Sequence, residues 1–192
     1  MEPNRTGDSQ PWVTCHLSEM LLSYIGAAPA VKPETIDYAS LFENVEGLEV
    51  PADPEAFLTD SSNWIPLAVL RELEWRCEKI SGQKDVAYHA ARAYFSPGRR
   101  ALPSLFDIIV RVLNDVRSAL IFANLWGAAQ TNYLKLQPFE KMRGTGSDLY
   151  ILAEFGAQAR PGLASMHLLR GFSEGFPRLY PFIEDTDRKS VV

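Results

Sequence analysis

The sequence predicts an α+β fold, in which a helical layer packs on a small antiparallel β-sheet within a single domain. Apolar residues recur at helical spacing through most of the first half of the chain. After Gly127 they alternate or run together, as they do in strands. The chain has 192 residues, of which 46% are hydrophobic, so it is long enough for one sizeable core and short for two.

The first element follows a polar leader. We expect residues 1–10 to be disordered because they are polar and lack an apolar pattern, so that the domain covers residues 11–192. β-Branched and aromatic residues at the start of the domain predict a short strand over Trp12–Leu17.

Two short helices are expected next. Ser18 is placed to cap a helix over Glu19–Ile25, which ends at Gly26. A second helix is expected over Thr35–Asn44, and the proline-rich segment Val50–Pro54 is interpreted as a connector.

The segment Pro66–Ser81 carries the strongest helical signal in the chain. Proline is tolerated in a first helical turn, and Gly82 supplies the stop. Four residues recur at helical spacing and are predicted to face inward: Leu70, Leu73, Cys77 and Ile80. Four charged residues are assigned to the opposite, solvated side: Arg71, Glu72, Glu74 and Lys79.

Three further helices are predicted before the strands. Asp85 is placed to cap a helix over Val86–Phe95, whose alanines permit close approach to a neighbour and which Pro97-Gly98 ends. The other two are indicated by an apolar stripe from Leu105 to Val112 and by a segment from Asn114 or Asp115 to about Leu125.

A β-hairpin and a last helix complete the predicted fold. The strands are expected over Tyr133–Phe139 and Leu149–Phe155, around a turn at Arg143–Ser147. The helix is expected over about Ser165–Leu179, with four residues inward: Met166, Leu169, Phe172 and Phe176. Gly171 and Gly175 share one face of this helix, which favours close packing against a neighbour.

Composition argues against several classes of partner. A net charge of −5 and a pI of about 5.3 do not supply the basic face that nucleic acids or anionic membranes require. The longest apolar stretch, Ala119–Ala129, is interrupted by Asn124 and too short to cross a bilayer, so we expect no direct membrane insertion. The two cysteines, Cys15 and Cys77, are interpreted as reduced thiols in a cytoplasmic protein, with Cys77 buried and inert.

Few residues indicate chemistry. The three histidines lack the spacing of a metal site, and no nucleophile-elbow motif occurs, so we predict no metal, no cofactor and no catalytic activity in the chain itself. Aromatic residues at the helix-to-sheet junction fit either a small-molecule site or a plain core. His167 and Arg170, one helical turn apart, fit either ligand contact or ordinary hydrogen bonding. The candidate ligand-binding residues are Trp126, Tyr133, Tyr150, His167 and Arg170.

Three segments carry a family resemblance. Leu58-Thr59-Asp60 followed by Asn63-Trp64-Ile65, the turn in Ile80–Tyr88 and the helix in Arg170–Gly175 occur in the expected order. Together they resemble bacterial amino-terminal sensor domains attached to histidine kinases and diguanylate cyclases, which are related to four-vinyl-reductase and, more distantly, to haem nitric-oxide-binding domains.

The resemblance implies a cytoplasmic, small-molecule-sensing regulatory domain that acts on a downstream output module, and it leaves a homodimer open. The haem-binding relatives use a Tyr-x-Ser-x-Arg element that this chain lacks, so haem is not expected. Such domains often close with a cysteine-bearing hairpin, which is not found before Val192. Two interpretations stay open: the closing strands are missing from this chain, or the chain does not belong to that family. Two alternatives remain open: a small enzyme acting on a hydrophobic or tetrapyrrole-like substrate, and a ligand-free dimerisation scaffold.

Overall fold

Six helices and two antiparallel strand pairs make up the described part of the chain, so the predicted α+β class is confirmed. The structure is a computed structural model that describes residues 10–27, 36–43, 45, 48–94, 130–143, 146–156 and 163–175. In chain order the elements are β1 (Trp12–Thr14), α1 (His16–Gly26), α2 (Ser40–Glu43), α3 (Pro54–Thr59), β2 (Trp64–Pro66), α4 (Leu67–Ser81), α5 (Val86–Tyr94), β3 (Leu134–Arg143), β4 (Gly146–Phe155) and α6 (Leu163–Gly175).

β1 pairs antiparallel with β2, with Trp12 opposite Pro66 and Thr14 opposite Trp64. The strand is shorter than predicted because the chain turns into α1 directly after Thr14. Ser18 therefore lies inside the first turn of α1 rather than at its cap. Its buried hydroxyl lies 2.9 Å from the Cys15 carbonyl oxygen and donates to the Leu58 carbonyl oxygen at 2.6 Å, which ties α1 to the end of α3.

The polar turn before β2 is held by its own side chains. The Asp60 carboxylate accepts hydrogen bonds from the Ser62 hydroxyl at 2.7 Å and the Ser62 amide at 3.0 Å, and these bonds lower the pKa of Asp60. The Asn63 side-chain amide donates to the Phe57 carbonyl oxygen at 3.1 Å, and the Asn63 carbonyl oxygen accepts from the Cys15 amide at 2.8 Å. This turn, which belongs to the first of the three segments that carry the family resemblance, thus positions β2 beside β1.

The connector expected at Val50–Pro54 leads into a helix, α3, that the sequence analysis missed. The Asp53 carboxylate accepts a hydrogen bond from the Ala56 amide at 3.0 Å, and Pro54 occupies the first turn, where proline needs no donor. α2 is also shorter within the described residues than predicted, covering Ser40–Glu43.

The helices predicted over Pro66–Ser81 and Val86–Phe95 are confirmed within the described residues. α4 begins one residue later than predicted because Pro66 belongs to β2, and it ends at Gly82, whose φ of +63° is a left-handed conformation that favours glycine. α5 follows from Val86 to Tyr94. Asp85 also has a positive φ, of 56°, and its carboxylate contacts His167 on α6.

The core lies between the helices and the β1–β2 pair. α4 packs against α1, α2, α5 and both of these strands, and α1 also packs against α5. Trp64 is 8% exposed, so the aromatic residue at the start of this region is part of the buried layer. The largest fully buried side chains are Phe42, Leu21, Ile25, Leu41, Leu58, Ile65, Leu73, Val13, Val69, Val86 and Pro66.

α6 lies in close contact with α5. A Cβ atom added at Gly171 would lie 2.8 Å from the Ala91 Cβ and closer still to the Tyr88 carbonyl oxygen, so the predicted packing role of this glycine is confirmed. Leu168 and Phe172 pack on the core. Met166, predicted to face inward, is 47% exposed, because the close contact at Gly171 sets which side of α6 faces α5.

The predicted hairpin is confirmed and is longer than expected. β3 and β4 pair antiparallel over ten residues each, from Leu134 opposite Phe155 to Arg143 opposite Gly146. Described side chains alternate along β3, with Leu134 and Leu136 half-buried and the residues between and after them exposed.

The hairpin joins the rest of the chain at its base. Thr131 forms a bridge with Val13, and the Thr14 hydroxyl donates to the side-chain oxygen of Gln130. The Asn132 side-chain oxygen accepts from the Trp12 amide at 2.7 Å, while the Asn132 amide donates to the Trp12 carbonyl oxygen. The residues that directly precede β3 therefore lie beside β1.

Several predicted features lie outside the described residues. These are the leader, the break at Pro97-Gly98, the helices predicted between Leu105 and Leu125, the turn at Gly144-Thr145 and the chain after Gly175. Among the helices of the described segments, none combines the length and the apolar character that a bilayer crossing requires.

Replacing Gly171 with Ala is expected to destabilise the protein. Alanine normally favours a helix interior by up to about 1 kcal/mol over glycine. Here its methyl group forces α6 away from α5, and we expect a net loss of about 1–3 kcal/mol in the free energy of unfolding, measured by urea denaturation. Gly156→Ala is the control, because its Cβ would meet Tyr133 only at ordinary contact distances of 3.6 Å or more. A G171A variant as stable as wild type contradicts the close contact.

Candidate functional site

α4 carries a buried carboxyl group on its inward face. Glu74 is 4% exposed, and its neighbours at helical spacing, Leu70 and Cys77, are buried with it. The sequence analysis assigned Glu74 to the solvated side, which is wrong. The residue lies four positions after Leu70 and three before Cys77, so its spacing placed it on the apolar face despite its charge.

Burial controls the ionisation of this group. Desolvation raises the pKa of the Glu74 carboxyl to about 7 from its ordinary 4.5. The positive charge of Arg71, one turn earlier on α4, lowers this pKa, and the negative charge of Glu78 raises it. One carboxyl oxygen, Oε2, is buried and receives no hydrogen bond from the part of the chain that the structure describes.

Tyr133 shares the electrostatic environment of this carboxyl group. Burial raises the pKa of the Tyr133 hydroxyl to about 12, Arg71 lowers it and Glu74 raises it. The Tyr133 ring stacks on Phe155, with centroids 6.4 Å apart and an interplanar angle of 21°. Arg71, Glu74 and Tyr133 thus share one electrostatic environment, and we call these three residues the junction site.

The backbone fixes Tyr133 in this place. Its carbonyl oxygen accepts a hydrogen bond from the Gly156 amide at 2.7 Å, which closes the base of the hairpin. Residues directly before it are bonded to β1, as described above. The tyrosine is thus held at the point where the hairpin meets the helical core, and it also packs against that core.

The other predicted site residues lie elsewhere or outside the described residues. Tyr150 is half-buried on β4 and lies opposite Phe139, five residue pairs from the Leu134–Phe155 pair. At the rise of a β-strand this is about 17 Å along the hairpin from its base. Trp126 lies outside the described residues.

His167 contacts Asp85, the residue before α5, and Arg170 contacts α5 itself. The His167 Nδ1 atom lies 2.7 Å from an oxygen of Asp85. The Arg170 guanidinium bonds to the Glu174 carboxylate at 2.9 Å and lies over the Tyr88 ring, 5.3 Å from its centroid. These two residues thus lie together where α6 packs on α5, a region that we call the seam, and their neighbours differ from those of Tyr133. Their assignment to ligand binding stays a prediction.

The seam between α5 and α6 is a mutually paired charge network. The hydrogen bond to Glu174 raises the pKa of the Tyr88 hydroxyl, and the same carboxylate raises the pKa of Arg170. Burial acts to raise the pKa of Glu174, but hydrogen bonds from Tyr88 and Arg170 outweigh it and lower the pKa. The Glu174 carboxylate thus has two hydrogen-bond partners within the seam, the Tyr88 hydroxyl and the Arg170 guanidinium.

The cysteines and histidines do not form a reactive centre in the described residues. Cys15 and Cys77 are buried and free, and burial raises the pKa of both thiols to about 12, so the predicted burial of Cys77 is confirmed. The His16 Nε2 atom lies 2.9 Å from the Tyr94 hydroxyl. Within the described ranges, no group of three or more His, Cys, Asp or Glu side chains is arranged to hold a metal ion.

Comparison with protein-family models, with curated proteins and with solved structures found no match to this chain. The resemblance to bacterial sensor domains therefore stays a prediction that rests on the three sequence segments given above.

Replacing Glu74 with Gln is expected to change how stability depends on pH. The folded chain holds the Glu74 proton more tightly than the unfolded chain, so the wild-type free energy of unfolding falls as pH rises from about 4.5 to about 7. Glutamine removes this loss, and E74Q should gain about 3 kcal/mol relative to wild type across that window. Urea denaturation at several pH values measures the difference.

Glu72→Gln is the matched control for this measurement, because Glu72 lies on the same helix but pairs with Arg76 at a side chain that is 43% exposed. We expect the stability difference between E72Q and wild type to change by less than about 1 kcal/mol over the same range. A constant difference between E74Q and wild type would show that Glu74 is solvated.

Proposed function

We propose that this chain is a small-molecule-sensing regulatory domain that controls an attached or partner output module, such as a histidine kinase or a diguanylate cyclase. The observation that carries the proposal is the buried Glu74 carboxyl, whose Oε2 atom accepts no hydrogen bond from the described residues. The family resemblance of the sequence supports the same function, and with it a cytoplasmic location and reduced cysteines.

An unmet polar atom in an apolar interior is costly. Leaving a buried acceptor without a donor costs about 1–3 kcal/mol, and more for a charged group. Most buried polar groups in folded proteins are satisfied, so an exception calls for a cause. A bound molecule that supplies the donor is such a cause, because small-molecule sites combine apolar walls with a few polar anchors.

The position of the junction site supports regulation. Arg71 and Glu74 belong to the helical core, whereas Tyr133 belongs to the hairpin base. A molecule held between them contacts both parts of the chain. If it binds one relative arrangement more tightly than another, it shifts the population toward that arrangement. An output module would respond to this shift.

Native mass spectrometry of the purified chain, with an absorbance scan, tests ligand binding. We expect the gently ionised protein to exceed the chain mass by a small molecule that is lost at higher collision energy. A thermal-shift screen against a metabolite library extends the test to a ligand lost in purification. A bare chain that no library compound stabilises contradicts the proposal.

Hydrogen exchange tests the regulatory part of the proposal. A bound molecule is expected to slow amide exchange at the hairpin base, in Gln130–Tyr133 and Gly156, because these residues join the two parts of the chain. Exchange in Pro54–Thr59, which lies away from the junction site in sequence and packs on α1, is the internal control. Equal exchange at the hairpin base with and without the molecule contradicts regulation through the junction.

A further inference from the structure

The junction site carries an imbalance of charge. The negative charge of Glu78 and the positive charge of Arg71, both on α4, act on the Glu74 carboxyl group. When both acids are ionised, these three described groups together carry one positive and two negative charges. Of these groups, Glu74 is the buried acid, and its Oε2 atom receives no hydrogen bond from the described residues.

We propose that the junction site selects small molecules in which a primary ammonium group is attached to an aromatic body, with Glu74 as the anionic anchor. This inference rests on the proposed sensing function and specifies the chemical class of the molecule sensed.

An ammonium group meets the requirements of Glu74 better than the alternatives. It supplies donors to the empty acceptor and cancels the excess negative charge, and hydrogen bonds between ionised groups are about twice as strong as neutral ones. A neutral donor satisfies the Oε2 atom of Glu74 but leaves the negative charge of the carboxylate unpaired. A carboxylate on the ligand would be attracted by Arg71, but it supplies no donor to Glu74 and meets the negative charge of that carboxylate.

The aromatic body is indicated by the aromatic side chains of the hairpin base. Tyr133 and Phe155 form a stacked pair at the hairpin base, and the charges of Arg71 and Glu74 act on the Tyr133 hydroxyl. A third ring extends such a pair by stacking or by an edge contact. Ring faces also attract the ammonium group itself, which adds to its pairing with the carboxylate.

Binding of this class is linked to proton release. The pKa of Glu74 lies at about 7, so below that pH the carboxyl must lose its proton to pair with the ammonium ion. An alkylammonium group stays charged throughout this range, since its pKa is about 10. The affinity should rise about 20-fold between pH 5.5 and 7.5 and then level off.

Three phenols that differ in one group test the inference on the full chain. They are tyramine, which carries the ammonium group; 4-ethylphenol, which is neutral; and 3-(4-hydroxyphenyl)propionate, which is an anion. Isothermal titration at pH 7.5 is expected to show that tyramine binds at least about tenfold more tightly than either of the others. Repeating the tyramine titration at pH 5.5 measures the proton linkage.

Variants assign the preference to Glu74. E74Q keeps the shape of the side chain but removes the charge, so tyramine should bind no more tightly than 4-ethylphenol and its pH dependence should vanish. The affinity for 4-ethylphenol should stay within about twofold of wild type. E72Q removes a charge from the same helix at an exposed position and should keep the tyramine preference. Circular dichroism and thermal unfolding confirm that each variant is folded.

The inference is overturned if wild type binds the three phenols equally, if it prefers the anion, if it binds none at millimolar concentration, or if E74Q keeps the tyramine preference. In those cases a different molecule found by native mass spectrometry leaves the sensing function standing. If tyramine binds as expected but leaves amide exchange at the hairpin base unchanged, the ammonium site is supported and regulation through the junction is contradicted.

Discussion

The apolar inward face of α4 is the constraint on which the rest of the structure depends. Leu70, Leu73 and Cys77 are buried against neighbouring elements, so α4 cannot rotate without exposing them. Glu74 follows at the same helical spacing and is carried inward with them. Burying the carboxyl is therefore a consequence of apolar packing, and the desolvation that raises its pKa follows from the same cause.

The hairpin base completes the environment of this carboxyl group. Thr131 pairs with Val13, and Asn132 pairs with Trp12. These bonds hold Tyr133 where the charges of Arg71 and Glu74 act on the pKa of its hydroxyl. The Asp85, His167 and Arg170 seam has a different character, because its charges are paired with one another between and along the helices. At the junction site, by comparison, the buried Oε2 atom of Glu74 receives no hydrogen bond from the described residues.

Local signals made α4, its stop at Gly82, the hairpin and the close contact at Gly171 predictable from sequence. Non-local contacts explain most of the errors. Pro66 has the pattern of a first helical turn, yet it pairs with Trp12, far away in the chain. The α3 helix was missed because Pro54 was interpreted as part of a connector, although Asp53 supplied a cap. The charge of Glu74 predicts an exposed side chain, whereas its helical spacing predicts a buried one. The spacing is correct, and the prediction that followed the charge is wrong.

The ionisation of Glu74 is the most direct test of this account. Its side-chain carboxyl carbon can be followed by NMR through a pH titration, with the E74Q spectrum used to assign the resonance. A midpoint near pH 7 is the result expected for a carboxyl that packing holds away from water. A midpoint near 4.5, the ordinary value for a glutamate, would contradict the buried anchor and the site built around it.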